Sequence, residues 1–204
     1  MKIGLPMFPL GSVLFPSMVL PLHVFEPRYR ALARDCLAGD RRFGVVLIER
    51  GSEVGGGDVR FSVGTAAQIV EAAELPDGRF ALGTVGLHRI RVLSWLEDDP
   101  YPRAEAEVWA DPPPTDTLLA AHEENVVLLR RVLALKAELG ELAAPATIEL
   151  STDVVLAGYQ AAAIAPIGPA DQQVLLEAES PDARAAQLAI MLAEQQDVLT
   201  FRLG

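Results

Sequence analysis

Cysteine and lysine are nearly missing from this chain of 204 residues. Cys36 is the sole cysteine, so an internal disulfide and a multi-cysteine metal site are both excluded, which fits a reducing compartment. Lys2 and Lys136 are the only lysines. One starts the chain and the other sits on a broad apolar helical pattern, so neither suits a serine–lysine dyad. The three histidines, His23, His88 and His122, form no H-x-x-x-H or H-E-x-x-H pair. His122-Glu123-Glu124 are sequential neighbours that point in different directions on a helix, so no metal site is expected. A G-x-S-x-G elbow, a G-x-x-x-x-G-K-[ST] phosphate loop and a G-x-G-x-x-G turn are all lacking. Gly55-Gly56-Gly57 runs into Asp58 rather than a lysine and reads as a loop. No apolar run reaches the roughly 18 residues of a membrane span, and prolines break the N-terminal apolar stretch, a poor signal peptide. The expectation is a cytoplasmic protein without cofactor or catalytic residues.

What the chain does have is apolar mass and acid. Half the residues are hydrophobic and the net charge is −11. Residues 1–110 hold twelve Lys/Arg against fourteen Asp/Glu, and residues 111–204 hold five against fourteen. The acidic second part keeps a helical surface soluble and opposes binding to nucleic acid or an anionic membrane, which needs clustered cations. Arg41-Arg42 and Arg130-Arg131 are isolated pairs.

Residues 5–30, LPMFPLGSVLFPSMVLPLHVFEPRYR, set five prolines among large apolar side chains and end in charge at Glu26, Arg28 and Arg30. Proline removes a donor and stiffens its neighbour, so this segment is expected as short extended pieces with stiff corners, not as a long helix or a central strand. Residues 28–38 follow as a short helix with Pro27 in its first turn and Gly39 past its end. Its apolar face carries Tyr29, Leu32, Ala33, Cys36 and Leu37, which makes Cys36 a buried small hydrophobe. Strands are predicted at 43–48, 59–75, 79–96 and 103–109, with a loop at 51–58 and a Pro76-Asp77-Gly78 turn. Gly83 and Gly86 suggest bulges or a close crossing in a coiled barrel.

Asp111-Pro112-Pro113-Pro114-Thr115 is a hard stop. Beyond it the periodicity is helical, with helices predicted over 116–139, 147–165, 169–178 and 181–202, the last capped by Ser180. The domain reading is a β-rich region at 1–110 and a helical one at 115–204.

Several pieces resemble the N-terminal domain of the ATP-dependent protease Lon: P-L-G-S-V-L-F-P at 9–16, L-P-L-H-V-F-E-P-R-Y at 20–29, G-T-A-A-Q-I-V at 64–70, D-G-R-F at 77–80, G-L-H-R-I-R-V at 86–92 and D-Q-Q-V-L-L-E at 171–177. The resemblance implies an α+β fold, a PUA-like twisted β-barrel-type domain followed by an α-helical bundle. It also implies a role in substrate recognition and assembly, without the ATPase and protease parts, as in a stand-alone Lon-domain protein or, as the less favoured reading, an isolated fragment of a longer protease. The expected function is a noncatalytic module that binds unfolded or exposed hydrophobic protein segments, with a protease as a further partner. The alternative is an assembly or docking module; RNA binding is less favoured on charge. Candidate peptide contacts are Phe15, Pro16, Leu20, Leu22, Phe25 and Tyr29, some facing the core and some lining a groove. Glu26, Arg28 and Arg89 are candidates for a structural ion pair or for binding.

Overall fold

In the computed structural model, which describes residues 2–53 and 57–204, the β-rich region contains β1 (Lys2–Leu10), β2 (Val19–Val24), α1 (Pro27–Ala38), β3 (Arg42–Arg50), β4 (Val59–Glu74), β5 (Phe80–Trp95) and β6 (Arg103–Val108). Gly55 and Gly56 of the glycine run lie outside the described residues. The strands form one sheet in the order β2-β5-β4-β3-β1-β6, with β5 also pairing with β6. One end of β5 pairs with β2 and the other with β6, so the sheet curls back on itself while β2 stays outside the circuit. The expected barrel is therefore a curled six-stranded sheet, because β5 is shared among three neighbours.

A central strand at the proline-rich opening runs against expectation, yet β1 lies between β3 and β6. Its partners divide the strand between them: residues 2–6 pair antiparallel with β6, and residues 7–10 pair parallel with β3. The Met7 amide donates to the Pro102 carbonyl at 2.8 Å. In an antiparallel ladder bonded and non-bonded positions alternate, so Pro6, opposite Arg103, falls where no donor to β6 is needed.

Both faces of β1 are buried. Leu5 and Met7 join Val46, Ala66, Ile90, Ala104 and Ala106 inside the curl. Phe8 and Leu10 join Tyr29, Leu32, Cys36, Phe43, Val45, Ile69 and Leu82 under α1. Burial on two faces explains the unbroken apolar run of β3. The curl is tight where side chains are missing: a Cβ on Gly64 would lie 2.1 Å from the Val45 carbonyl oxygen, and one on Gly86 would lie 2.4 Å from that of Phe15. Register shifts between β4 and β5 at Ala66/Ala67 and Ile69/Glu71 supply the coiling.

Residues 111–204 form a separate compact unit. It holds α2 (Leu118–Glu138), α3 (Val154–Ile164), α4 (Pro169–Leu176) and α5 (Pro181–Leu203). α3 begins several residues later than its apolar pattern predicts. The Asp153 side chain accepts from the amides of Val155 and Leu156, and Gln160 ties back to the Ser151 amide at 2.7 Å, which fixes the preceding stretch as a loop. Ser180 caps α5 through the Ala183 amide. Arg184 of α5 is 1% exposed, donates to Asp111 at 2.8 Å and to the Tyr159 hydroxyl at 3.0 Å, and stacks 3.8 Å over the Tyr159 ring.

Three outcomes follow from this packing. Gly64→Ala forces a methyl against main chain and is expected to cost the β-rich unit about 2 kcal/mol. Gly4→Ala, whose Cβ meets nothing within 4 Å, serves as the neutral control in chemical denaturation. Arg184→Met empties a buried position of its charge and removes the cation paired with the half-buried Asp111 carboxylate, and is expected to cost about 3 kcal/mol, against no measurable change for exposed Arg130→Met in the same assay. Burial, with Asp40 and Asp35 nearby, pushes the Cys36 thiol from 9.0 up to about 12. Alkylation at pH 8.5 should therefore run roughly a thousandfold slower in the native protein than in denaturant. Because the folded thiol holds its proton more tightly, its contribution to stability is complete below pH 9 and is lost as the pH rises toward about 12.

Candidate functional site

β2 alternates along its length. Leu22 and Val24 are buried and Leu20 is half-buried, whereas Val19, Pro21 and His23 are exposed. The period of two places the apolar set against α1 and the other set outward. Phe25 continues the outward set and is 53% exposed. Glu26 then holds an extended backbone, φ −66° and ψ 139°, and Pro27 starts α1. The chain thus turns from strand to helix within two residues, bringing Tyr29 back beside β1.

The Tyr29 ring stacks on Phe8 with centroids 4.2 Å apart and planes 15° apart. The Arg28 guanidinium lies 4.4 Å over the same ring. Arg28 also donates to Glu26 at 3.2 Å and to the Glu53 carbonyl at 3.1 Å. The Glu53 carboxylate accepts the Gly11 amide. Phe8, Tyr29, Glu26 and Glu53, held in this way, help bound a cleft of about 170 Å³. Its apolar wall is Phe8, Leu10, Leu22, Val24, Phe25 and Tyr29; Pro21 and His23 border it along β2, and Glu26 and Glu53 form the polar rim. The Tyr29 hydroxyl is buried without a hydrogen-bond partner. Burial pushes its pKa up to about 12, opposed by Arg28, so it stays protonated as a donor at neutral pH.

On the outward face a shallower depression of about 420 Å³ crosses three strands. Pro21 lies opposite Gly83, which lies opposite Glu71, and His23 lies opposite Ala81, which lies opposite Ala73. The two hollows share Pro21, Leu22 and His23.

The sequence candidates separate in space. Leu22, Phe25, Glu26 and Tyr29 line the cleft and Arg28 braces it. Phe15 and Pro16 are buried, and Leu20 packs partly against the core under α1. Arg89 is 1% exposed and lies 4.1 Å over the Trp109 ring, with Arg91 3.8 Å over the same ring. Phe8, Leu10, Val24, Pro21, His23 and Glu53 belong to the cleft and were not among the candidates. The alternation of residues 19–25 is the signal that points to three of them, Pro21, His23 and Val24.

Chemically the lining offers apolar surface, two carboxylates, an imidazole and a neutral phenol, and it includes no serine, cysteine or lysine. His88 lies opposite Ala66 on β4, and burial holds its imidazole below the ordinary range. Among the described residues no cluster of His, Cys, Asp or Glu could hold a metal ion, and no helix is long and apolar enough to cross a membrane.

The family model of the ATP-dependent protease La (LON) substrate-binding domain matches residues 4–194. A Lon protease of Trichlorobacter lovleyi is 29% identical over 97% of this chain, and the match spans 25% of that protein. A LON peptidase N-terminal domain and RING finger protein of Schizosaccharomyces pombe is 22% identical over 98% of the chain and is matched over 47% of its own length. The chain thus spans about a quarter to a half of the length of these relatives. The crystal structure of a Lon N-terminal domain protein from Xanthomonas campestris superposes with a TM-score of 0.66 at 28% identity, covering 92% of this chain and 98% of that one. The chain therefore belongs to the family of Lon substrate-binding domains.

Proposed function

We propose that this chain is a noncatalytic module that binds unfolded or exposed apolar segments of other proteins, and that the cleft beside β2 is where it does so. The observation that carries the reading is an apolar cleft standing open at a half-exposed phenylalanine, Phe25. An aromatic ring at the mouth of a preformed apolar hollow gives contact area at low entropic cost. Matches that cover the substrate-binding region of Lon proteins support the same reading. A protease is the natural recipient of what the cleft holds. Within this reading the β-rich unit is PUA-like, the helices of 115–204 form a bundle, and the protein works in the cytoplasm. Its charge of −11 turns nucleic acid away.

Fluorescence anisotropy with a labelled unfolded polypeptide, and native protein as competitor, tests the proposal. Phe25→Asp is expected to keep the fold and to weaken binding about tenfold, the loss of roughly 1.4 kcal/mol. Val127→Asp, which changes a still more exposed apolar side chain on α2, should bind as the parent does. Equal affinity for the parent and Phe25→Asp would sink the assignment of the cleft.

A further inference from the structure

The bonding pattern of β2 says more about the occupant. The Gly86 amide donates to the Met18 carbonyl at 2.9 Å. Residues 19 to 24 of β2 then pair with residues 85 to 80 of β5 without a register shift. Bonded and non-bonded positions alternate, so Leu20, Leu22 and Val24 bond β5, while Val19, Pro21 and His23 turn their main-chain groups away from it. β2 is the first strand of the sheet order, and among the described residues no strand pairs with its other side. The outer edge therefore presents the N–H groups of Val19 and His23 and the carbonyls of Val19, Pro21 and His23. Pro21, having no N–H, occupies an outward position and leaves the bonding to β5 intact.

We infer that a bound segment adds to this edge as an extended strand, its main chain pairing with residues 19–23. The inference rests on the peptide-binding reading above. Free main-chain donors and acceptors in a row are complementary to another extended main chain. The two hollows share Pro21, Leu22 and His23, so the middle of the strand borders a depression on each side. A strand laid along it would send alternate side chains toward one hollow and then the other. Side-chain choice is thereby set to apolar residues at alternate positions. The rim carries Glu26 and Glu53 against Arg28, and the chain as a whole carries −11, so the segment is neutral or basic. A second copy is the poorer occupant. Two β2 edges paired antiparallel about their centres would set Pro21 against Pro21, with no donor on either side.

Amide hydrogen exchange on the full chain, with and without a saturating labelled unfolded polypeptide, tests this. Exchange at Val19 and His23 is expected to slow about tenfold or more on binding, while Leu22, already bonded to β5, changes little. Val19→Pro and His23→Pro each delete one outward donor and spare the β5 ladder; each is expected to bind about tenfold more weakly than the matched Val19→Ala or His23→Ala, which loses the side chain and keeps the donor. If a proline variant fails to fold, the exchange data on the parent decide. Binding with unchanged exchange at both amides overturns strand addition and leaves side-chain capture in the cleft standing. No binding by the parent overturns both readings. Val19 and His23 amides already protected in a protein that sediments as a dimer would assign the edge to a second copy and overturn the proposal.

Discussion

The stack of Phe8 on Tyr29 joins β1 to α1, two of the elements that line the cleft. Phe8 belongs to β1 and also leans on Phe43 of β3, with centroids 6.1 Å apart. Tyr29 belongs to the first turn of α1. Such a pair adds about 1 kcal/mol beyond its buried area, but its position matters more than its size. It ties the helix to the strand that shares its buried faces between two clusters. The cleft wall is then a by-product of core packing: Phe8, Leu10, Leu22, Val24 and Tyr29 are core residues on one side and lining on the other. The orphan Tyr29 hydroxyl fits this double duty, since leaving a buried donor unpaired costs about 1–3 kcal/mol.

Most elements were legible because their signals are local. Proline at the first turn and glycine past the end delimit α1, a Pro-Asp-Gly turn separates β4 from β5, and Ser180 opens α5. What escaped depends on partners far along the chain. Whether proline is tolerated at Pro6 is decided by its register against Arg103, about a hundred residues away. The late start of α3 depends on Gln160 reaching back to Ser151, a bond that competes with one more helical turn.

The candidate site was legible in outline and not in detail, for a related reason. Apolar residues in a proline-stiffened segment carry no mark that separates core from surface. Phe15 and Phe25 look alike in sequence; the first is buried beside the Gly86 crossing and the second is left at an open mouth. Arg89 reads as a charge available to Glu26, yet Trp109, twenty residues on, covers it instead. Glu26 finds its partner two residues away in Arg28. Sequence shows which side chains can do a job, and pairing register decides which are left free to do it.

The placement of the two tryptophans makes the halves of the molecule separately observable. Trp95 lies beneath the Arg60 guanidinium at 4.8 Å, and Trp109 lies against those of Arg89 and Arg91. Both indoles belong to residues 1–110, and the helices of residues 111–204 contain none. Indole emission therefore originates wholly within residues 1–110. Far-ultraviolet ellipticity is weighted toward the helical unit, which holds four of the five helices among the described residues. The molecule carries its own pair of optical channels, one for each half, without an added label.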